Sequence, residues 1–267
     1  MNTPPVPTHE SAHTRMTPPL DPQNRPQIDI VQLYPQSMNI YGDWGNTLTI
    51  MRRLQWYGFQ PIIHNYNQGD NLPKNADIIV GGGGQDSGQR AVHDDLRHRG
   101  GWLREQANDG TPMLVVCGLY QLFGREFRTY DGPTLEGIGV FDAETVGHKD
   151  RLIGNIVEES EEFGTIIGYE NHSGYTFLAS GTHPLAHVSL GDGNNTHDDT
   201  EGARVHNVIG TYVHGALLPK NPHLADFLIL TALQRRYNID ALDAEQIPQS
   251  VRDNTDAART IALHRPR

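Results

Sequence analysis

The residues with the clearest chemical potential are a cysteine and a histidine that each end an apolar run. Cys117 is the one cysteine of the chain and follows the run from Met113, while His214 ends the run from Asn207. A thiolate is a strong nucleophile, and histidine can donate and accept protons near neutral pH. Such a pair is typical of an enzyme that forms a thioester from a carboxamide substrate. The alternative for Cys117 is an inert thiol, since free cysteine is among the most buried residue types.

These side chains must be positioned by strands, and the first half of the chain alternates apolar runs with helix-length segments. Strands are predicted from Ile28, over Pro61 to Tyr66, Asp77 to Val80 and Met113 to Cys117, and helices over Thr47 to Tyr57, about Ser87 to Asn108 and Leu119 to Phe123. Strands that alternate with helices form parallel sheets covered by helices. The predicted fold class is therefore α/β, with an open, mostly parallel sheet.

The second half is predicted to contribute additional antiparallel strands, because short apolar runs are separated there by glycine and asparagine. These strands cover Gly137 to Phe141, Leu152 to Glu158, Thr165 to Asn171, His187 to Leu190 and Asn207 to His214. A helix from about Pro222 to Arg236 is expected to pack on the sheet. Residues 195 to 201 are polar and are interpreted as a solvated loop.

Composition divides the chain into one domain and two terminal segments. Residues 1 to 26 are rich in proline and polar residues, which predicts a disordered N-terminal arm. Residues 27 to 242 are expected to form the globular domain. Residues 243 to 267 are weakly amphipathic and are interpreted as a tail or a partner-contact helix.

The charge and hydropathy of the chain argue against two classes of protein. A formal net charge of -11 disfavours binding to nucleic acid, which requires clustered lysine and arginine. No apolar run is long enough to cross a bilayer, and the first 26 residues lack the apolar core of a signal peptide. A lone thiol is most easily kept reduced in the cytosol, so a cytoplasmic location is expected.

The candidate site lies where open α/β sheets place their functional residues, at the carboxyl ends of strands. Gly81 to Gly84, Cys117 and His214 all fall at such ends. A helix that starts directly after Cys117 would favour the thiolate through its partial positive charge. Backbone amides of the glycine loop and of Gly118 could hold an oxyanion. The glycines do not form a phosphate-binding loop, because no Lys-Ser/Thr pair follows them.

Several uncommon segments together resemble one enzyme family. The Val115 to Gln121 segment, the glycine loop and the Gly210 to Gly215 segment are similar to the class I glutamine amidotransferases of the cobyric acid synthase type. The similarity is greater still to the glutaminase subunit of lipid II isoglutaminyl synthase, the GatD family. It extends over roughly residues 28 to 237 and includes residues 38 to 46, 151 to 157, 163 to 172, 191 to 195 and 217 to 221.

The resemblance implies a flavodoxin-like glutaminase fold and specific roles for residues of the chain. Cys117 would be the nucleophile, His214 the catalytic histidine and Asp43 a third catalytic member. Arg151 would hold the substrate glutamine, because a guanidinium can clamp an α-carboxylate in a fork. The other expected substrate-binding residues are Gly83, Gly84, Gly118 and Gln121.

The resemblance also implies a partner, because glutaminase subunits of this type act with a Mur-ligase-like synthetase of the MurT family. ATP and Mg²⁺ are expected on that partner, in a heterodimer, and no cofactor is expected on this chain. No metal is expected either. His183 and His187 are four residues apart, but Pro184 interrupts the helix that would place them on one face.

The chain departs from the usual class I pattern at three positions. No glutamate stands two residues after His214, so Asp43 is the candidate to orient the histidine. Val115 and Leu119 stand where many relatives carry glycine around the nucleophile. A bulky residue at position 119 accepts fewer backbone conformations than glycine does.

Alternatives remain open at the residue and the functional level. Asp43 could cap the following helix, and Arg151 could belong to a surface salt bridge. A second enzyme hypothesis is a glutaminase that serves corrinoid amidation, although such relatives usually carry the synthetase on the same polypeptide. A third hypothesis is a non-catalytic docking subunit that keeps the fold without the activity.

Overall fold

The first half of the chain forms the predicted alternation of strands and helices. The structure, a computed structural model, describes residues 24–266, so all but the last three residues of the predicted N-terminal arm lie outside the described part. Its elements are β1 (Gln27–Leu33), α1 (Trp44–Trp56), β2 (Gln60–Tyr66), β3 (Ile78–Gly81), α2 (Asp86–Asn108), β4 (Met113–Val116) and α3 (Gly118–Phe123).

These strands belong to a six-stranded sheet in the order β11-β12-β4-β3-β1-β2, where β11 is Ala203–Val205 and β12 is Val208–Thr211. All neighbours in it are parallel except β11, which runs antiparallel to β12. Strands β3, β4 and β12 are fully buried, as expected for parallel strands covered on both faces. The predicted α/β class with an open, mostly parallel sheet is confirmed.

The second sheet is largely antiparallel and is dominated by one long hairpin. Its strands are β5 (Glu126–Arg128), β6 (Thr134–Glu136), β7 (Ala143–Ser160), β8 (Gly164–Leu178), β9 (Ala186–Leu190), β10 (Thr200–Glu201) and β13 (Val213–His214). The predicted strands over Leu152 to Glu158 and Thr165 to Asn171 are the apolar middles of β7 and β8.

The strand predicted over Gly137 to Phe141 is wrong. The amides of Gly137, Ile138 and Gly139 donate to carbonyls of residues 122 to 125 at the end of α3, at 2.7 to 2.9 Å. Phe141 is fully buried. The apolar residues of this segment therefore pack under α3 as a loop, whereas β5 and β6, which the apolar pattern did not reveal, pair with the sheet.

The interpretation of residues 195 to 201 as a solvated loop holds only for its middle. Residues 196 to 199 are exposed, but Asn195 and Glu201 at its two ends are buried. Asn195 Nδ2 donates to the Thr176 carbonyl at 2.8 Å. The two ends of the loop are therefore buried against the protein, and only its middle is solvated.

The C-terminal part is helical. It comprises α4 (Leu217–Lys220), α5 (Pro222–Tyr237), a 3-10 helix (Ala244–Gln246) and α6 (Gln249–Leu263). Helix α5 buries Leu224, Leu228 and Leu233 against the domain, whereas α6 has no buried residue. Within residues 24–266, no helix has the length and apolarity needed to span a bilayer.

Candidate active site

Cys117 occupies the sharp turn between β4 and α3. Its φ of 49° and ψ of -105° lie in a region that residues with side chains rarely adopt. The turn is fixed on both sides, because the Cys117 amide donates to the Thr211 carbonyl at 2.8 Å and its carbonyl accepts from the Gln121 amide at 2.9 Å. The side chain is 7% exposed. The strained turn lifts the thiol out of the sheet at its carboxyl edge.

The turn from β4 through Cys117 into α3 is called the elbow below. Leu119, which stands where many related proteins have glycine in this elbow, is accommodated by a glycine on the neighbouring strand. Leu119 is fully buried. A side chain added at Gly81 would collide with Leu119 Cδ1. The absence of a side chain at Gly81 therefore provides the space that the leucine occupies, and the elbow keeps its shape.

His214 lies at the end of β13 and is oriented by Asp43. The His214 Nδ1 is 3.2 Å from Asp43 Oδ1, and both side chains are buried. Asp43 Oδ2 accepts the Gly83 amide at 2.6 Å. Asp43 precedes α1 but makes no side-chain capping hydrogen bond, so the capping alternative is wrong. A carboxylate on Nδ1 leaves Nε2 as the nitrogen that can exchange a proton with another group.

The thiol and the imidazole are close enough to influence each other electrostatically. A Cβ atom built on Gly83 would lie 2.8 Å from His214 Cε1 and 3.1 Å from Cys117 Cβ, so both side chains lie against this glycine. Burial lowers the pKa of His214, but the charge of Cys117 and the hydrogen bond with Asp43 outweigh burial and raise the pKa to about 10. At neutral pH this arrangement favours an imidazolium beside the Cys117 sulfur.

The glycine loop after β3 brings the backbone close to the site. The Gly83 amide is already donated to Asp43, so it cannot serve as an oxyanion donor in this arrangement. Gly84 lines the cavity next to Cys117. Gly118 is the first residue of α3, and its amide therefore lacks an intrahelical acceptor. Gly84 and Gly118 are the better candidates for contact with an oxyanion.

A cavity of about 330 Å³ opens in front of Cys117. Loops and helices that follow strands of the parallel sheet line it on one side, and strands of the second sheet line it on the other. The polar lining residues include Cys117, Gln121, Arg151, Asn171 and His172. His172 is stacked on Tyr212, with ring centroids 3.6 Å apart. Within residues 24–266, no cluster of three or more histidine, cysteine, aspartate or glutamate side chains could hold a metal ion.

Arg151 lies at an irregularity of the hairpin, where the register between β7 and β8 shifts from Gly147 to Leu152. Its Nε and Nη2 donate to Asn171 Oδ1 at 3.1 and 2.7 Å, and Nη2 also donates to the Asn171 carbonyl at 3.3 Å. The guanidinium thus donates hydrogen bonds to Asn171, and among the described residues it does not form the surface salt bridge that was the alternative for Arg151. Its Nη1 takes no part in these bonds.

Gln121 lines the same cavity, but both ends of its amide are used within the protein. Its Nε2 donates to the Tyr212 hydroxyl at 3.0 Å, and its Oε1 accepts from Gln89 Nε2 at 2.7 Å. Gln89 also donates to the Gly118 carbonyl at 3.1 Å. Gln121 therefore joins α3 to the strand that leads to His214, and this structural task competes with direct contact to a substrate.

Sequence reasoning missed three residues of the site, namely Tyr41, Asn171 and Gln89. The Tyr41 ring packs edge-on against His214, with centroids 5.0 Å apart. Asn171 lies inside a segment that carries the family resemblance, which was a usable signal. For Gln89 the sequence contains no such signal, because a glutamine on a polar helix is usually exposed and has no specific role.

The chain is similar to glutamine amidotransferases in sequence. Residues 29–222 match the CobB/CobQ-like glutamine amidotransferase domain. The lipid II isoglutaminyl synthase subunit GatD of Staphylococcus aureus (strain N315) is 37% identical over 211 residues, which cover 79% of this chain and 86% of that protein. The GatD subunit of Streptococcus pneumoniae (strain ATCC BAA-255 / R6) is 36% identical over 217 residues, or 80% and 84% of the two chains.

A weaker similarity connects the chain to a longer enzyme. The cobyric acid synthase of Mesorhizobium japonicum is 31% identical over 158 residues, which cover 55% of this chain but 30% of that protein. The match to this enzyme is therefore confined to about a third of its length.

Solved structures share the fold. A glutamine amidotransferase crystal structure aligns with a TM-score of 0.55 at 16% identity, over 76% of this chain and 98% of that chain. The PurLQS structure from Thermotoga maritima gives 0.54 at 13% identity, over 77% and 98%. Fold, sequence and the family match agree: the chain belongs to the CobB/CobQ-like glutamine amidotransferases, in the GatD family of glutaminase subunits.

Proposed function

We propose that the chain hydrolyses glutamine and supplies the ammonia to a Mur-ligase-like partner of the MurT family, for amidation of the D-glutamate of the lipid II stem peptide. The observation that carries the proposal is the buried Asp43–His214 pair beside the strained Cys117 elbow, whose cysteine lines a cavity. The acceptor and the partner are supported by the names of the two GatD relatives, which are subunits of lipid II isoglutaminyl synthases.

In the first step, the Cys117 thiolate attacks the carboxamide carbon of glutamine. The carbonyl oxygen becomes an oxyanion, to which the amides of Gly84 and Gly118 are proposed to donate hydrogen bonds. The tetrahedral intermediate collapses when protonated His214 donates a proton to the leaving nitrogen. The products of this step are ammonia and a thioester between Cys117 and the glutamyl group.

In the second step, neutral His214 removes a proton from water, and the resulting hydroxide attacks the thioester carbon. The carbon–sulfur bond breaks, glutamate leaves, and the proton remains on the imidazole beside the regenerated thiolate. Asp43 keeps the ring oriented through both steps, because its hydrogen bond stabilises the imidazolium.

Arg151 is proposed to bind the α-carboxylate of glutamine with the edge that carries Nη1. The pocket wall there is formed by β7 and β8, whereas the nucleophile comes from the parallel sheet. Substrate binding is thus assigned to the second sheet and the nucleophile to the turn after a parallel strand, so Arg151 and Cys117 can be tested separately.

The amidation itself needs an activated carboxylate, and we assign that step to the partner. No phosphate-binding Lys-Ser/Thr pair follows the glycine loop of this chain. ATP and Mg²⁺ are therefore proposed to bind to the MurT-like subunit, which would form a heterodimer with this chain in the cytoplasm.

Reconstitution of the pair on lipid II tests this proposal. Wild type should form amidated product with either glutamine or ammonium salt, whereas Cys117→Ala should work with ammonium alone. Ammonium-dependent product shows that the partner is active, and co-elution of the variant with the partner in size-exclusion chromatography shows that the complex is still assembled. The mechanism is wrong if Cys117→Ala uses glutamine as well as wild type does.

A second candidate function is ammonia supply for corrinoid amidation, which the similarity to cobyric acid synthase favours. The two functions share the glutaminase chemistry and differ in acceptor. Mass spectrometry of a corrinoid acid and of lipid II, each incubated with the chain and its partner, distinguishes them by which one gains an amide. A non-catalytic docking subunit would release no glutamate in either assay.

A further inference from the structure

The strand that carries His214 changes sheets just before the histidine. Strand β12 pairs with β4 in the parallel sheet and ends at Thr211, whereas β13 begins at Val213 and pairs with β8 in the second sheet. Tyr212, between them, belongs to neither ladder. A strand that leaves one ladder for another has backbone amides that need other acceptors.

Glu201 provides those acceptors. Its Oε1 accepts the Tyr212 amide at 2.6 Å, and the Thr211 hydroxyl lies 3.1 Å from each of its carboxylate oxygens. Thr211 Oγ1 in turn accepts the Val213 amide at 3.0 Å. One carboxylate thus holds, directly or through Thr211, the three consecutive residues 211 to 213 that lead into His214. This segment is called the crossover below.

The Glu201 carboxylate accepts these hydrogen bonds with no cationic partner among residues 24–266. Glu201 is fully buried, and within the described chain no lysine, arginine or histidine forms an ion pair with it. The titratable groups that face it are carboxyl groups, Glu158 on β7 and Glu170 on β8, together with Tyr120 on α3. Burying the charged form of Glu201 among carboxyl groups costs free energy. The hydrogen bonds that it accepts from the crossover offset that cost.

Protonation is divided unequally between the two neighbouring carboxyl groups. Burial and the charge of Glu201 raise the pKa of Glu158 well above its usual range. Burial also raises the pKa of Glu201, but the hydrogen bonds with the Tyr212 amide, with Glu158 and with Thr211 limit the rise to about 7. Glu158 therefore holds a proton more readily than Glu201 does, and Glu201 is the carboxyl group of the pair that ionises first as the pH rises.

The crossover also contacts the helix that follows the nucleophile. The Tyr212 hydroxyl accepts from Gln121 Nε2 and lies 2.7 Å from Thr176 Oγ1, and the Tyr212 ring stacks on His172. A shift of the crossover would therefore move His214 relative to Cys117 and would also disturb α3.

We propose that Glu201 is a positioning residue for His214, acting through the hydrogen bonds that its carboxylate accepts from the Thr211–Val213 crossover. This inference rests on the proposed glutaminase function. Because displacement of a catalytic group by about 1 Å can cost on the order of 100-fold in rate, loss of these bonds should lower kcat rather than raise KM for glutamine.

The test compares glutamate release by four full-chain variants in the presence of the partner subunit. Glu201→Ala should lower kcat by on the order of 10- to 100-fold, with KM for glutamine within about twofold of wild type. Glu158→Ala removes the same atoms from the same buried cluster but no bond to the crossover, and should retain most of the activity. Equal losses in the two alanine variants would overturn the proposal.

The glutamine variants provide a readout that does not depend on the alanine variants folding. Gln at position 201 resembles the protonated carboxyl, so Glu201→Gln should match wild type below about pH 6 and lag behind it at pH 8. Glu158→Gln should follow wild type throughout. The proposal is overturned if Glu201→Gln keeps the wild-type pH profile, whereas absence of glutamate release from wild type would instead refute the glutaminase function.

Discussion

The charge of His214 is determined by opposing effects that act on a single ring. Its pKa is raised from 6.5 to about 10 because Cys117 and Asp43 together outweigh burial. A raised pKa adds stability that is complete below pH 6.5 and is lost as the pH rises toward 10. In the proposed mechanism the same protonated ring donates its proton to the leaving nitrogen, which departs as ammonia.

We therefore predict that kcat/KM for glutamine hydrolysis falls as the pH rises through about 10, since the imidazolium of the free enzyme is then lost. The profile of kcat/KM against pH, measured with glutamine well below its KM, provides the check. Thermal unfolding at each pH separates loss of the proton from loss of the fold. A kcat/KM that stays constant through this range would show that protonated His214 is not required.

Asp43→Asn tests the orientation of the histidine. The amide cannot stabilise the imidazolium as a carboxylate does, so the alkaline limb of the kcat/KM profile should move to lower pH, and kcat should fall by about 10²- to 10⁴-fold. The matched control is Asp240→Asn, which changes an exposed aspartate and should leave the profile unchanged. An unaltered alkaline limb in Asp43→Asn would refute the assigned role.

Arg151→Ala tests substrate binding separately from chemistry. Removal of the guanidinium should raise KM for glutamine by about 10- to 100-fold while kcat changes far less, because the lost interaction is the same in ground and transition states. Arg97→Ala is the control, since Arg97 forms a surface ion pair with Glu136. Steady-state kinetics with an unchanged KM in Arg151→Ala would contradict the assignment.

The individual residues could be predicted from sequence where the chain itself supplied a signal. Cys117 and His214 follow apolar strands, and the structure places both against Gly83. The role of Glu201 at the crossover could not be foreseen, because it lies in a polar stretch whose middle is exposed. Only the fold shows that this end of the stretch is buried and accepts backbone amides.

At the scale of elements, the loop after β3 is where the two catalytic side chains and the backbone approach each other most closely. Gly83→Ala would add a Cβ 2.8 Å from His214 Cε1, so the ring must move. We expect kcat to fall on the order of 100-fold with the fold intact. Circular dichroism and glutamate release, measured on the same sample, check both parts.

Gly101→Ala is the matched control for that variant. Gly101 lies within α2 and has nothing within 4 Å of an added Cβ atom. Alanine there should leave kcat unchanged and stabilise the protein by roughly 0.5–1 kcal/mol through helix propensity. Equal activities in the two alanine variants would show that the close approach at Gly83 is not needed for catalysis.

The elements themselves were predictable to different degrees in the two halves. Parallel strands such as β4 are buried on both faces and read as continuous apolar runs, so they were located within a residue or two. The long strands β7 and β8 alternate buried and exposed residues and carry charged positions, so only their apolar middles were predicted. The segment over Gly137 to Phe141 is apolar because it packs under α3. A short apolar run does not distinguish such a buried loop from a buried strand.

On the scale of the whole molecule, the site forms where the two sheets meet. The parallel sheet contributes the Cys117 elbow and the Asp43 loop, and the second sheet contributes Arg151 and the strand that ends in His214. The general α/β architecture followed from the order of elements in the sequence. The junction did not, because it depends on a strand that leaves one sheet at Tyr212 to enter the other.

The central claim is that Cys117 forms a covalent bond with the carboxamide carbon of glutamine, and a glutamine-like electrophile tests it most directly. Intact-mass spectrometry after incubation with diazo-oxo-norleucine should show one adduct on wild type, located on the peptide that contains Cys117 and suppressed by excess glutamine. Cys117→Ala should gain no adduct and release no glutamate. An unlabelled wild type that still hydrolyses glutamine, or a Cys117→Ala variant with wild-type glutamate release, would contradict the account.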